Sequence, residues 1–188
     1  MRILRAADHK RMPWKNGGGE TTEIAVFPEN AGLSDFDWRV SMARVDGDGP
    51  FSGFPGIDRT LAILEGAGIL LSVEGEAPAR LTPDSEPHDF PADIATSAQL
   101  IAGTVIDFNV MSRRGKIEHT VDRLKSKCSS PAGVTRLVHC ASGSVAIYSA
   151  GGREILDPRD AVVLVPDEAA DLAPGPGGEF YLVEFRPA

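Results

Sequence analysis

The chain has 188 residues, 42% of them apolar and 24% charged, with a net charge of −8. Those values are ordinary for a folded globular protein and leave room for one domain or two small fused halves. An acidic balance excludes nucleic acid as the main partner, since phosphate contacts need clustered Lys and Arg, and no apolar run reaches the roughly 20 residues of a membrane helix.

The chain opens on a basic Met1-Arg2-Ile3-Leu4-Arg5 but has no apolar stretch before Asp8 and His9, so it is not read as a secretory signal. No window of 11 or more residues carries a convincing helical apolar period. Short apolar or alternating runs recur instead, at 22–27, 38–45, 60–64, 69–73, 100–111, 117–124, 134–140, 145–149, 161–165 and 180–185. Gly, Pro, Asp and Asn cut them apart. Many short strands with turns between them make an all-β sandwich or barrel. The segments 77–91 and 167–178, rich in Pro, Asp and Gly, read as surface loops. Cys128 and Cys140 are the only cysteines, with no C-x-x-C spacing, and read as two reduced thiols of a cytoplasmic protein.

Three echoes occur in the same order in both halves. LEGAGILLSVEG at 64–75 returns as CASGSVAIYSAGG at 140–152. HDFPADIA at 88–95 returns as EILDPRDAVVL at 154–164, and GTVIDFNVMSR at 103–113 as GEFYLVEFRP at 178–187. Ordered echoes favour a duplicated β unit. The expected layout is one compact chain with a first half at 1–115 and a second at 116–188; exchange of strands between the halves is left open.

Three long stretches, MPWKNGGGETTEIA, then DFDWRVSMARVDGDGPFSGFPGIDRTLAILEGAGILL, then TVIDFNVMSRRG, resemble the HutD/Ves family closely over residues 12–115 and weakly beyond. The resemblance implies a cupin-type (RmlC-like) bicupin of two jelly-roll-like β-barrels. It also implies a link to bacterial histidine utilisation as a regulatory or metabolite-binding accessory, and a cytoplasmic homodimer.

Gly17-Gly18-Gly19 precedes a strand rather than a helix and lacks phosphate-loop spacing. It is expected to be a tight crossover, pinned by Trp14, that either lies over a barrel mouth with Lys15 and Asn16 at the rim or is purely structural. Strand alternation puts Arg39 and Ser41 on one face with Ala43 and Val45. It puts Asp107 and Asn109 together, with Arg113 in the same parity, and Thr21 and Glu23 together ahead of Ala25. Such polar pairs on small or apolar faces suit either solvent or a ligand pocket with a few converging polar groups.

The cupin metal pattern, His-x-His plus Glu, is missing. His9, His88, His119 and His139 are scattered, so no metal and no cofactor is expected. Arg59 suits bidentate carboxylate binding, or forms a turn pair with Asp58. The expected site is therefore Trp14, Lys15, Asn16, Glu23, Arg39, Ser41, Phe51, Arg59, Asp107 and Asn109, taking a small anionic metabolite such as urocanate or formylglutamate. The alternatives are a metal-independent isomerase or lyase with Glu23 or Asp107 as base, and a protein-interaction module with filled barrels.

Overall fold

The computed structural model describes residues 1–15 and 17–188. Nineteen strands and one short 3-10 turn (Ala6–Asp8) make up the described elements. The strands are β1 (Arg2–Leu4), β2 (Lys10–Pro13), β3 (Gly19–Phe27), β4 (Trp38–Val45), β5 (Gly49–Pro50), β6 (Ile57–Glu65), β7 (Ile69–Val73), β8 (Ala79–Leu81), β9 (His88–Pro91) and β10 (Thr96–Leu100). They continue with β11 (Val105–Arg113), β12 (Ile117–Leu124), β13 (Cys128–Ser130), β14 (Thr135–Ser142), β15 (Val145–Ser149), β16 (Gly152–Leu156), β17 (Ala161–Leu164), β18 (Ala170–Pro174) and β19 (Glu179–Pro187). Among the described residues no helix is long and apolar enough to cross a membrane.

The chain divides into two compact units, a larger one of Lys10–Glu118 with Ala188 and a smaller one of Met1–His9 with His119–Pro187. In the larger unit a six-stranded sheet runs β2-β3-β4-β11-β6-β9 and a four-stranded sheet runs β5-β10-β7-β8. One apolar cluster joins the two sheets: Leu61, Ile63, Phe90 and Val105 from the first meet Ile69, Leu71, Val73, Leu81 and Ala98 from the second. In the smaller unit the sheets run β1-β17-β14-β19-β12 and β13-β18-β15-β16. Val138, Cys140, Val162, Leu164, Phe180 and Leu182 fill the space against Val145, Ile147, Leu156, Ala170 and Leu172. Burying inward faces in this way is the main stabilising term of a sandwich.

Eight strands follow one order in both units. The run β4-β11-β6-β9 corresponds to β12-β19-β14-β17, and β5-β10-β7-β8 to β13-β18-β15-β16. The first and third sequence echoes fall on corresponding strands. The second does not: its Pro-Asp turn follows β9 in the larger unit but precedes β17 in the smaller one. The expected closed barrels are instead pairs of open sheets, packed face to face.

Other expectations are corrected too. The run 100–111 is two strands, because Gly103 takes a left-handed φ of 64° and turns the chain between β10 and β11. The expected loop 77–91 contains β8 and β9, and 167–178 contains β18. These three strands are three to five residues long. Pairing with β7, β6 and β15 defines them, rather than any local apolar pattern.

Candidate functional site

The inward face of the six-stranded sheet is unusually polar at its centre, and its register explains why. Directly paired residues of antiparallel strands point the same way. One row across the sheet therefore reads Lys10–Glu23–Ser41–Asn109–Leu61–His88. The next row toward the end of β11 reads Val26–Arg39–Met111–Arg59–Phe90. The row on the other side reads Met12–Thr21–Ala43–Asp107–Ile63.

Apolar clusters close both ends of this polar band. Met111 belongs to a cluster with Phe36, Ile57 and Ala92, and Ile63 and Val105 belong to the main core. Arg39, Ser41, Arg59, Asp107 and Asn109 are all buried, with side-by-side charges in a poorly screened space. Each charge has a defined neighbour. Arg39 Nε donates to Glu23 Oε2 at 2.7 Å. Arg59 Nε donates to Asn109 Oδ1 at 2.8 Å, and one of its Nη groups donates to the same oxygen. Asn109 Nδ2 donates to Asp107 Oδ1, which also accepts from the Ala43 amide at 3.1 Å. Asn109 thus stands as an amide bridge between the Arg59 guanidinium and the Asp107 carboxylate.

The Arg59 guanidinium also lies over two rings, 4.3 Å from the Phe51 centroid and 5.7 Å from that of Phe90. Burial pulls its pKa down to about 10; Asp107 opposes that fall and the like charge of Arg39 adds to it. Burial pushes the Asp107 carboxyl up to about 6, opposed by Arg59, the Asn109 amide and the Ala43 N–H. Among the described residues, Arg39 makes no hydrogen bond beyond Nε to Glu23, and Ser41 Oγ makes none. The two Nη groups of Arg39, the Ser41 hydroxyl and the second Nη group of Arg59 are therefore uncommitted donors of this face.

The glycine triplet forms a hairpin turn between β2 and β3, not a crossover. Pro13 pairs with Glu20, and the Trp14 amide donates to the Gly19 carbonyl at 2.9 Å. Gly19 is required there, because a Cβ would lie 2.1 Å from the Arg44 carbonyl oxygen and 3.0 Å from the Trp14 ring. Trp14 Nε1 donates to Thr21 Oγ1 at 2.8 Å, which fixes the indole at the border of the polar face. Lys15 is exposed in the turn, and Asn16 lies outside the described residues.

Six of the expected site residues thus share one face (Glu23, Arg39, Ser41, Arg59, Asp107 and Asn109), with the Phe51 ring on Arg59. Arg59 is not the turn partner of Asp58, which pairs with Arg114 at 2.7 Å. Arg113 is not at the site: it lies beside the Phe36 ring and donates to the Ser34 and Phe36 carbonyls. Ala25 points away from Glu23's face, because a bulge after Glu23 sets Ala25 opposite Val40. His88, Phe90, Lys10 and Met111 sit on the face and were not among the expected residues. Met111 shares the parity of Asn109, whereas β2 and β9, four residues each, are too short to announce their faces. Glu23, Asp107 and His88 are spread over separate strands, and among the described residues no three His, Cys, Asp or Glu side chains converge as a metal set.

The smaller unit carries no counterpart. Each large sheet has a bulge, between Ile106 and Asp107 in one unit and between Cys140 and Ser142 in the other. Counting from it, Phe180 and Leu182 occupy the places of Asp107 and Asn109. Arg136 occupies that of Arg59, but it donates to the Ser130 hydroxyl and to the Pro131, Val165 and Glu168 carbonyls.

The sequence model of the family described as HutD matches residues 6–182. An uncharacterised 21.2 kDa protein in the hutC 3′ region of Pseudomonas putida is 36% identical over 150 residues, covering 80% of this chain and 74% of its own. Protein Ves of Citrobacter koseri is 37% identical over 139 residues, covering 70% and 71%. The solved structure of HutD from Pseudomonas fluorescens SBW25, in a formate condition, matches with a TM-score of 0.86 at 30% identity, covering 100% of this chain and 98% of its own. A cupin 2 conserved barrel domain protein from Leptotrichia buccalis, with a TM-score of 0.58 at 12% identity over 98% of this chain and 100% of its own, is similar in fold alone.

Proposed function

The chain belongs to the HutD family, and from that premise we propose that its larger unit binds a small carboxylate of histidine catabolism and serves as a metabolite-binding accessory. The observation that carries the reading is Arg39. A buried guanidinium commits Nε to Glu23 and leaves both Nη groups without a hydrogen bond among the described residues, on the face that Ser41 shares. A carboxylate suits such a planar fork, and hydrogen bonds to charged groups are the strong ones. Glu23 and the Asn109–Asp107 pair would accept an amide or imidazole N–H at the other end of the ligand. That combination suits urocanate or formylglutamate. The hutC 3′ region named for one relative supports the link to histidine catabolism.

The shared strand order supports the companion proposal that the chain is a duplicated cupin-type protein in which one copy kept an inner polar face and the other filled it. The β1 segment, paired with β17, would then be the strand exchanged between the halves. A second functional reading, an isomerase or lyase using Asp107 as base, is favoured by the elevated pKa of that carboxyl.

The test is a thermal-shift screen with urocanate, formylglutamate and formate, against the matching amides. A ligand that binds only the folded state raises apparent stability by mass action. Stabilisation by the acids and not by the amides supports the reading; no response to any acid refutes it. Proton NMR of the binding acid over hours separates binder from enzyme, since only the latter consumes it.

A further inference from the structure

The charges at the centre of the inner face balance before any ligand arrives. Arg39 and Arg59 contribute two positive groups, Glu23 and Asp107 two negative ones. The other titratable groups in the same rows are Lys10, exposed on β2, and His88, half-buried on β9. Among the described residues, the inward face of the four-stranded sheet carries no titratable group: Ile69, Leu71 and Val73 pair there with Leu100, Ala98 and Thr96, and Leu71 and Ile69 with Ala79 and Leu81. A carboxylate settling on Arg39 therefore brings a surplus negative charge into a desolvated space, where an uncompensated charge is expensive. The two resident carboxyls are not equally placed to relieve it. Glu23 touches a guanidinium directly, at 2.7 Å, and its side chain is 17% exposed. Asp107 is 2% exposed, and the Asn109 amide stands between it and Arg59.

We infer that this face takes up a monocarboxylate together with one proton, and that the proton comes to rest on Asp107. The inference rests on the carboxylate-binding reading and specifies its ligand class. The ligand stays ionised on Arg39, the proton comes from solvent, and the site returns to charge balance. A dicarboxylate such as formylglutamate would need a second compensating charge that the centre of the face does not hold, so of the two candidate acids the inference keeps urocanate. The pKa of Asp107, already about 6 without ligand, lies where a further rise falls in the neutral range.

The probe is 3-(2-furyl)acrylate, a monocarboxylate with no titrating ring, measured by calorimetry from pH 6 to 8 in buffers of different ionisation enthalpy. Affinity should fall as pH rises, approaching tenfold per pH unit, with proton uptake approaching one per ligand bound. Asp107→Asn keeps an acceptor for the Ala43 and Asn109 N–H groups. It should bind without pH dependence, and at pH 8 as tightly as the parent does at pH 6. His88→Gln should keep the parent's slope. Binding by the parent with no slope and no proton uptake overturns the inference and leaves the carboxylate reading standing. So does a slope that survives in Asp107→Asn or vanishes in His88→Gln. If Asp107→Asn does not fold, the parent's proton count decides alone. Failure of every carboxylate to bind removes the underlying reading, and this inference with it.

Discussion

Replacing Asp107 by Asn should stabilise the larger unit at neutral pH and not at acid pH. The Asp107 carboxyl is raised from 3.8 to about 6 because burial costs the ion its hydration. A carboxyl whose folded value lies above its unfolded value stabilises the fold only while protonated. Its contribution is complete below 3.8 and is lost as pH rises through about 6. Roughly two pH units at about 1.4 kcal/mol each place the penalty for the ionised form at about 3 kcal/mol. Asn removes that penalty while keeping Oδ1 as acceptor for Ala43 and Asn109; its added N–H₂ needs an acceptor, so about 3 kcal/mol is the ceiling. Both tryptophans, Trp14 and Trp38, lie in the larger unit. Urea unfolding followed by their fluorescence therefore reports on the unit that carries the substitution. The variant's advantage over the parent should grow between pH 4 and 7.5. An advantage that does not change with pH, or one that reverses as pH rises, would refute the account of Asp107.

Other consequences are equally open to measurement. Arg39→Ala should weaken carboxylate binding by about 1.5–3 kcal/mol, the range for hydrogen bonds to charged groups, and calorimetric titration against the parent reads this directly. Gly19→Ala should cost about 1–3 kcal/mol in urea unfolding, because its Cβ meets the Arg44 carbonyl and the Trp14 ring. Cys140, buried in the smaller unit's core with its thiol pushed up to about 12, should resist alkylation at pH 8 until the protein unfolds, as mass spectrometry of labelled peptides would show.

Much of the candidate site was legible because strands alternate strictly. Arg39 with Ser41, and Asp107 with Asn109, share a face by parity alone, and pairing across β4, β11 and β6 then gathers them into adjoining rows. Parity failed where a strand is irregular or ends. The bulge after Glu23 turned Ala25 to the other face, and Arg113, in register with its neighbours, closes onto Phe36 and Ser34 at the strand's end. His88 and Lys10 escaped notice because β9 and β2 are four residues each, with no apolar alternation to mark them. Of the glycine triplet, Gly19 makes a close approach to the Arg44 carbonyl, while a Cβ at Gly17 would meet nothing. The expected crossover is a hairpin, because the two demand the same glycines and differ only in what β2 pairs with. The fold class followed from the many short strands. The division into open sheets depends on non-local pairing, as does the allotment of Met1–His9 to the smaller unit, and no local window encodes either.

The account stands or falls on where a carboxylate goes, and the crystal structure of this protein soaked with urocanate shows that directly. The account predicts the carboxylate on the Arg39 Nη groups and the Ser41 hydroxyl, with Glu23 still on Arg39 Nε and the ring N–H toward the Asn109–Asp107 pair. A ligand seated away from Arg39, or bound through its ring with the carboxylate in solvent, would contradict it.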